Sequence, residues 1–198
     1  MALGEPKAVV MEKAADMLRS LKWIGKSASI ERRVAHHEYD ALMNAFRERD
    51  KDPRTKIPMA ELAEFAIWSG RPISQICKLR WSDVDFDKHT CRLPGGKDDF
   101  PLFERAWDIV EARKPHKLND PTARIFPFNS HSVSASYTGY KKALIGQFPE
   151  IATLRLQDSR YEATVRLLEK SHPVHVVAHA TGQDIGKVEK IFRKMMQA

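Results

Sequence analysis

Apolar residues recur at helical spacing along most of this chain. Between Glu5 and Ile24, Val10, Ala14, Met17, Leu18 and Leu21 share one face, and the pattern stops at Gly25 and the polar run Lys26 to Ser29. A second helix is predicted over His36 to Arg49, with Tyr39, Leu42, Met43 and Phe46 on its apolar face. The charged stretch Asp50 to Lys56 contains Pro53 and reads as a surface loop. A strongly apolar helix is expected over Met59 to Trp68, broken by Gly70 and Pro72, and a short one over Ser74 to Leu79.

The period then changes. Val84-Asp85-Phe86 and Thr90 to Leu93 flank the turn at Asp87-Lys88, and Pro94-Gly95-Gly96 precedes Phe100-Pro101-Leu102. That pattern predicts a small three-stranded antiparallel sheet. Helical periodicity resumes over Glu104 to Lys114, His131 to Leu144 with Ser130 as candidate N-cap, Arg160 to Lys170, Val174 to Thr181 and Ile185 to Met196. The fold class expected is mainly α with one small antiparallel β-sheet. Neither internal repeats nor low-complexity segments occur.

Composition adds two points. The 198 residues suit one well-packed domain, and no apolar run is long enough to span a membrane or to act as a signal peptide. Cys77 and Cys91 sit in apolar or strand-like settings and are expected as reduced, buried thiols of a cytoplasmic protein. Charge changes the picture more. There are 33 Lys and Arg against 26 Asp and Glu, a net +7, which favours a polyanionic partner because neutralised phosphates release condensed counterions.

Three segments carry the candidate chemistry. Ser69 to Asp85 reads SGRPISQICKLRWSDVD, Gln157 to Glu169 reads QDSRYEATVRLLE, and Val177 to Gln183 reads VAHATGQ, with Phe192 beyond it. In this order they resemble the catalytic domain of the tyrosine recombinases (the phage integrase family), whose boxes run T-G-x-R-x-S-E-I-x-x-L-x-W-x-D-I-D, H-D-L-R-H-E-A-T-x-R-L-x-E and V-A-x-x-x-G-H followed by the tyrosine. Ile125-Phe126-Pro127-Phe128 is similar to the segment before the second box. The resemblance covers roughly residues 29–195, leaving 1–28 as an N-terminal helix and linker and 29–198 as the recombinase-like domain. Family members carry a further N-terminal helical domain that closes a clamp on the duplex; the residues before the match have room for one helix.

The resemblance implies a defined chemistry. A tyrosine hydroxyl attacks the scissile phosphate, arginines and a histidine or tryptophan stabilise the phosphoryl charge, and a lysine on the second hairpin protonates the leaving oxygen. Position by position, this chain departs from it. The first arginine falls on Pro72, with Arg71 one residue away, about 100° around a helix unless the chain slips locally. Arg160 retains the second arginine, while Gln157 and Gln183 replace histidines. Lys97 follows the Gly95-Gly96 turn where the lysine belongs, but in a shortened hairpin flanked by Asp98 and Asp99. Phe192 stands at the nucleophile position; it has the ring and lacks the oxygen. Of the four tyrosines, Tyr39, Tyr137, Tyr140 and Tyr161, only Tyr161 beside Arg160 is a candidate substitute.

The expectation is therefore a non-catalytic, DNA-binding relative of recombinases, a regulator of site-specific recombination or a partner in it. Its DNA-facing cations would be Lys26, Arg32, Arg33, Arg71, Lys78, Arg80, Lys97 and Arg160, with Arg155, Lys141 and Lys142 on nearby segments. Its partners would be double-stranded DNA and an active recombinase or another copy of itself, with no membrane, metal or cofactor, in the cytoplasm or on the nucleoid. An active recombinase with a displaced nucleophile and a protein-interaction scaffold without DNA binding are the alternatives. His175 and His179 have the i, i+4 spacing of metal ligands, but without the glutamate of a metalloprotease helix they are expected as helix-surface or partly buried histidines. Trp68, Trp81, Phe126 and Phe128 are expected in the core.

Overall fold

The computed structural model describes residues 33–96, 98–115 and 120–197. The helix expected before Gly25, and the cations Lys26, Arg32 and Lys97, lie outside them. The order of elements is α1 (His36–Asp50), α2 (Met59–Ser69), α3 (Ile73–Ile76), β1 (Val84–Asp85), β2 (Thr90–Arg92), β3 (Asp99–Pro101), α4 (Glu104–Arg113), α5 (Ser130–Leu144), α6 (Ser159–Glu169), α7 (Val174–Thr181) and α8 (Ile185–Met196).

Helix α2 is the axis of the core, because its sequence is apolar on nearly every side: Met59, Leu62, Ala63, Phe65 and Ala66 are all buried. It packs against α1, α4 and α6. Phe65 meets Phe126 with ring centroids 5.1 Å apart, and Phe46 of α1 meets Tyr140 of α5 edge-on at 5.5 Å. Burying such a ring contributes about 1.5–3 kcal/mol. Trp81 and Phe126 are in this core as expected; Phe128 is half-buried against it. Trp68 is half-buried too, and its ring is covered by the Arg166 guanidinium at 4.1 Å. A second apolar cluster joins Val165, Leu167 and Leu168 of α6 to Val177, Ala178 and Ala180 of α7 and Val188 and Ile191 of α8.

The sheet has the order β1-β2-β3, both pairings antiparallel, with Cys91 opposite Val84 on one side and Phe100 on the other. Arg92 pairs with Asp99 across β2 and β3, Nε to Oδ1 at 2.7 Å.

Three local features differ from the sequence expectation. Asn129, not Ser130, caps α5: its side-chain oxygen accepts from the backbone N–H groups of His131 (2.9 Å) and Ser132 (3.3 Å), and Ser130 is already helical. Helix α3 is one turn shorter at its C-terminal end than Ser74 to Leu79, because Leu79 leaves it to accept from the Ile125 N–H at 2.9 Å, next to the Arg80–Arg124 bridge. Short 3-10 turns at Trp81–Asp83, Pro149–Thr153 and Leu156–Asp158 were not expected.

Gly70 ends α2 with φ of 65°, its N–H reaching the Ala66 carbonyl at 3.0 Å. A Cβ there would lie 2.8 Å from Thr181 and 2.9 Å from Ala163. Glycine thus lets the first box turn directly against α6 and α7, which brings Arg71 to the site below.

Candidate nucleic-acid interface

Two arginines from distant boxes converge on the C-terminal end of α7. Arg71 leaves Gly70 with its side chain turned inward: Nε donates to the Ala180 carbonyl at 2.7 Å and Nη2 to the His179 carbonyl at 2.6 Å. Its guanidinium also lies 3.8 Å from the centre of the Phe100 ring. Arg160, one residue into α6, donates from Nη2 to the carbonyls of Gly182 (2.7 Å) and Thr181 (3.3 Å). Its Nε is buried without a hydrogen-bond partner. The last carbonyls of a helix have no partners within it and carry the negative end of its dipole, so they suit cations.

Arg71, expected among the DNA-facing cations, is 6% exposed. The tight turn at Gly70 and the open carbonyls of α7 draw it in, placing it beside Arg160 despite the one-residue offset from the recombinase pattern. Burial first, and then the like charge of Arg160, push its pKa down to about 10, so it is cationic at neutral pH. Burial likewise lowers that of Arg160. The bonds of these two guanidinium groups go to carbonyls and to the Gln75 amide, not to a carboxylate.

Gln183 braces this arrangement. Its Nε2 donates to the hydroxyl of Thr164, to Thr181 Oγ1 at 3.1 Å and to the Arg160 carbonyl at 3.4 Å. The threonines were not singled out from the sequence, since a buried Thr announces itself only through its neighbours. Gly182, with φ of 63°, closes α7 where a Cβ would sit 2.5 Å from Arg71 Nη1.

The other marked positions divide into three groups. Pro72 and Gln157 line one cleft of about 410 Å³, together with Ser130, His131, Ser134, Lys141 and Arg155. Lys141 spends its ammonium on the Ala152 and Leu154 carbonyls at 3.0 and 2.9 Å. His131 and Ser134 were missed because nothing local marks them; the Asn129 cap places them. Lys78 and Arg80 are exposed beyond α3. Arg33, expected as a DNA-facing cation, is half exposed and paired with Glu169 (2.5 and 3.2 Å) and the buried Glu162 (3.3 Å). Those carboxylates anchor the entering chain to α6.

Phe192 lies on α8, 39% exposed, on the helix that packs against α6 and α7. Tyr161 packs against the second apolar cluster. His179 hydrogen-bonds from Nε2 to the Asp99 carbonyl, tying α7 to β3. Among the described residues no cluster of His, Cys, Asp and Glu has the geometry of a metal site, and no helix is long and apolar enough to cross a membrane. Cys77 and Cys91 are buried free thiols; burial, and secondarily the charge of Asp83, push Cys91 up to about 12.

This architecture has known counterparts. The structure of XerA recombinase matches 98% of this chain and 76% of its own, with a TM-score of 0.56 at 12% identity. A lambda integrase dimer bound to a core site matches 91% of this chain and 56% of its own, with a TM-score of 0.58 at 17% identity. The fold is that of the tyrosine recombinase catalytic domain. The Tn1549 transposon integrase in complex with a circular intermediate DNA has the same fold, matching 98% of this chain with a TM-score of 0.55 at 12% identity. In sequence, a putative integrase/recombinase of Haemophilus influenzae is 25% identical over 164 residues, 81% of this chain. The recombinase-like chain spans about half the length of that relative, 52%. No family profile matches the chain.

Proposed function

We propose that this recombinase-like protein binds double-stranded DNA through the Arg71–Arg160 site and does not cut it. The observation that carries the reading is the convergence of two guanidinium groups on the carbonyl end of α7, while Phe192 stands at the nucleophile position. Two like charges held together without a carboxylate favour an anion, and a phosphodiester supplies one. Arg160 is the phosphate ligand: a small shift of its side chain gives the unpartnered Nε an oxygen to bind. Arg71 adds positive potential from behind it. DNA complexes among the structural neighbours support the same reading.

Cleavage needs an oxygen nucleophile, and a phenyl ring has none. Tyr161, the candidate substitute, packs against the apolar cluster of α6, α7 and α8. Gln183 and Gln157 can donate hydrogen bonds but supply no proton-transfer group near neutral pH. The protein therefore acts by occupying DNA, as a regulator of recombination or a non-cutting partner in it.

A native gel-shift titration with duplex DNA tests the binding. Affinity is expected to fall steeply with salt. Arg160→Ala should weaken binding and flatten the slope of log K against log[salt] by about one. An Arg160→Ala protein with unchanged affinity and slope contradicts the assignment.

A further inference from the structure

The cleft of about 410 Å³ between α3, α5 and the turn entering α6 shares no lining residue with the Arg71–Arg160 seat. Burial divides its lining into a floor and a rim. Ile73, Tyr137 and Leu154 are buried, with Pro72 and Leu156 half-buried beside them. His131, Ser134, Arg155 and Gln157 are exposed around that apolar floor, and no Asp or Glu lines the cleft. Lys141 is engaged by two carbonyls, but Arg155 is not held in that way. Its backbone N–H donates to Asp158 at 2.7 Å, and its guanidinium has no partner among the described residues.

An apolar floor, a few polar groups and a volume of several hundred Å³ are the marks of a small-molecule pocket. The ligand that matches has a flat apolar face, a polar edge and an anionic end. The Gln157 amide both donates and accepts, and the Ser134 hydroxyl, which donates to the Ser130 carbonyl at 3.0 Å, keeps its lone pairs to accept. The Arg155 fork suits a phosphate. A base inside a duplex is covered on both faces by its neighbours, whereas an unstacked base has a face free to bury. We infer that the cleft binds one unstacked nucleotide, with its base on the Ile73–Tyr137–Leu154 floor and its phosphate at Arg155. Two sources present this chemistry: a free mononucleotide and an unpaired nucleotide on a DNA flap. The second rests on the DNA binding proposed above, and the first does not.

Isothermal titration calorimetry of the full chain with dAMP, deoxyadenosine and inorganic phosphate tests it. The expected order has dAMP binding more tightly than either part alone. Ser134→Leu places a larger side chain in the cleft at an exposed helix position, and far-UV circular dichroism checks that it folds. It should weaken dAMP binding roughly tenfold, and Arg155→Ala should bring dAMP down to the affinity of deoxyadenosine. Gel shifts then compare a duplex with the same duplex carrying a one-nucleotide 5′ flap. With DNA as the source, the flap raises affinity and Ser134→Leu removes the gain without changing intact-duplex affinity. With a free nucleotide as the source, the flap changes nothing and dAMP binding stands. Arg160→Ala separates the two proposals, because it should weaken duplex binding and leave dAMP binding intact. The inference is overturned if dAMP does not bind, if inorganic phosphate binds as tightly, or if dAMP binding survives both cleft variants.

Discussion

Gly182 shows how much of the site hangs on one missing Cβ. Its φ of 63° closes α7, and its open side admits the Arg71 guanidinium, which hydrogen bonds at 2.6 and 2.7 Å hold in place. Gly182→Ala should cost about 1–2 kcal/mol from the left-handed backbone alone, read as a lower urea midpoint, and should weaken DNA binding by displacing Arg71. Unchanged stability would mean that Gly182 does not hold the left-handed conformation that closes α7. Cys91 gives a second prediction. Its thiol, ordinarily near 9, is pushed up to about 12 in the folded protein. Above pH 9 the unfolded chain loses this proton and the folded one keeps it. The stability that Cys91 contributes is thus complete below pH 9 and declines as pH rises towards 12. Cys91→Ala should show a shallower loss of stability than the parent over that range in urea titrations.

At the scale of elements, periodicity made most helices legible because their buried faces repeat. Met59 to Ser69 is buried along nearly its whole length, and Ile185 to Met196 has the boundaries read from its pattern. What escaped were ends and turns, where one side chain decides. Asn129 outcompeted Ser130 as a cap because its amide oxygen reaches two backbone N–H groups from an extended residue. Asn129→Ala should cost about 1 kcal/mol, seen in the urea midpoint, whereas Ser130→Ala should cost less. Equal effects would refute the capping assignment. The site was half legible. Arg160, Gln183 and Phe192 were marked by their boxes, but Arg71 looked misplaced by one residue. Counting along the chain assumes a regular helix, whereas Gly70 turns sharply and Pro72 starts a new helix beyond it. The ion pairs of Arg33 were illegible for another reason: its partners Glu162 and Glu169 are more than a hundred residues away, and no local pattern announces them.

For the whole molecule, a recombinase fold brings two cationic side chains together, and the proposed reading makes them a phosphate seat without a nucleophile. Arg71 and Arg160 meet on the end of α7 through three segments distant in sequence, braced by Gln183 and its two threonines. A protein built in this way should hold a duplex reversibly. The most direct measurement uses a fluorescent pool of nicked, random-sequence duplexes titrated with the full chain. Each sample is resolved on a native gel and again after denaturation in sodium dodecyl sulfate. The account predicts a salt-sensitive complex on the native gel that vanishes completely on the denaturing one. A band of DNA still attached to protein after denaturation, removed by Tyr161→Phe, would contradict it.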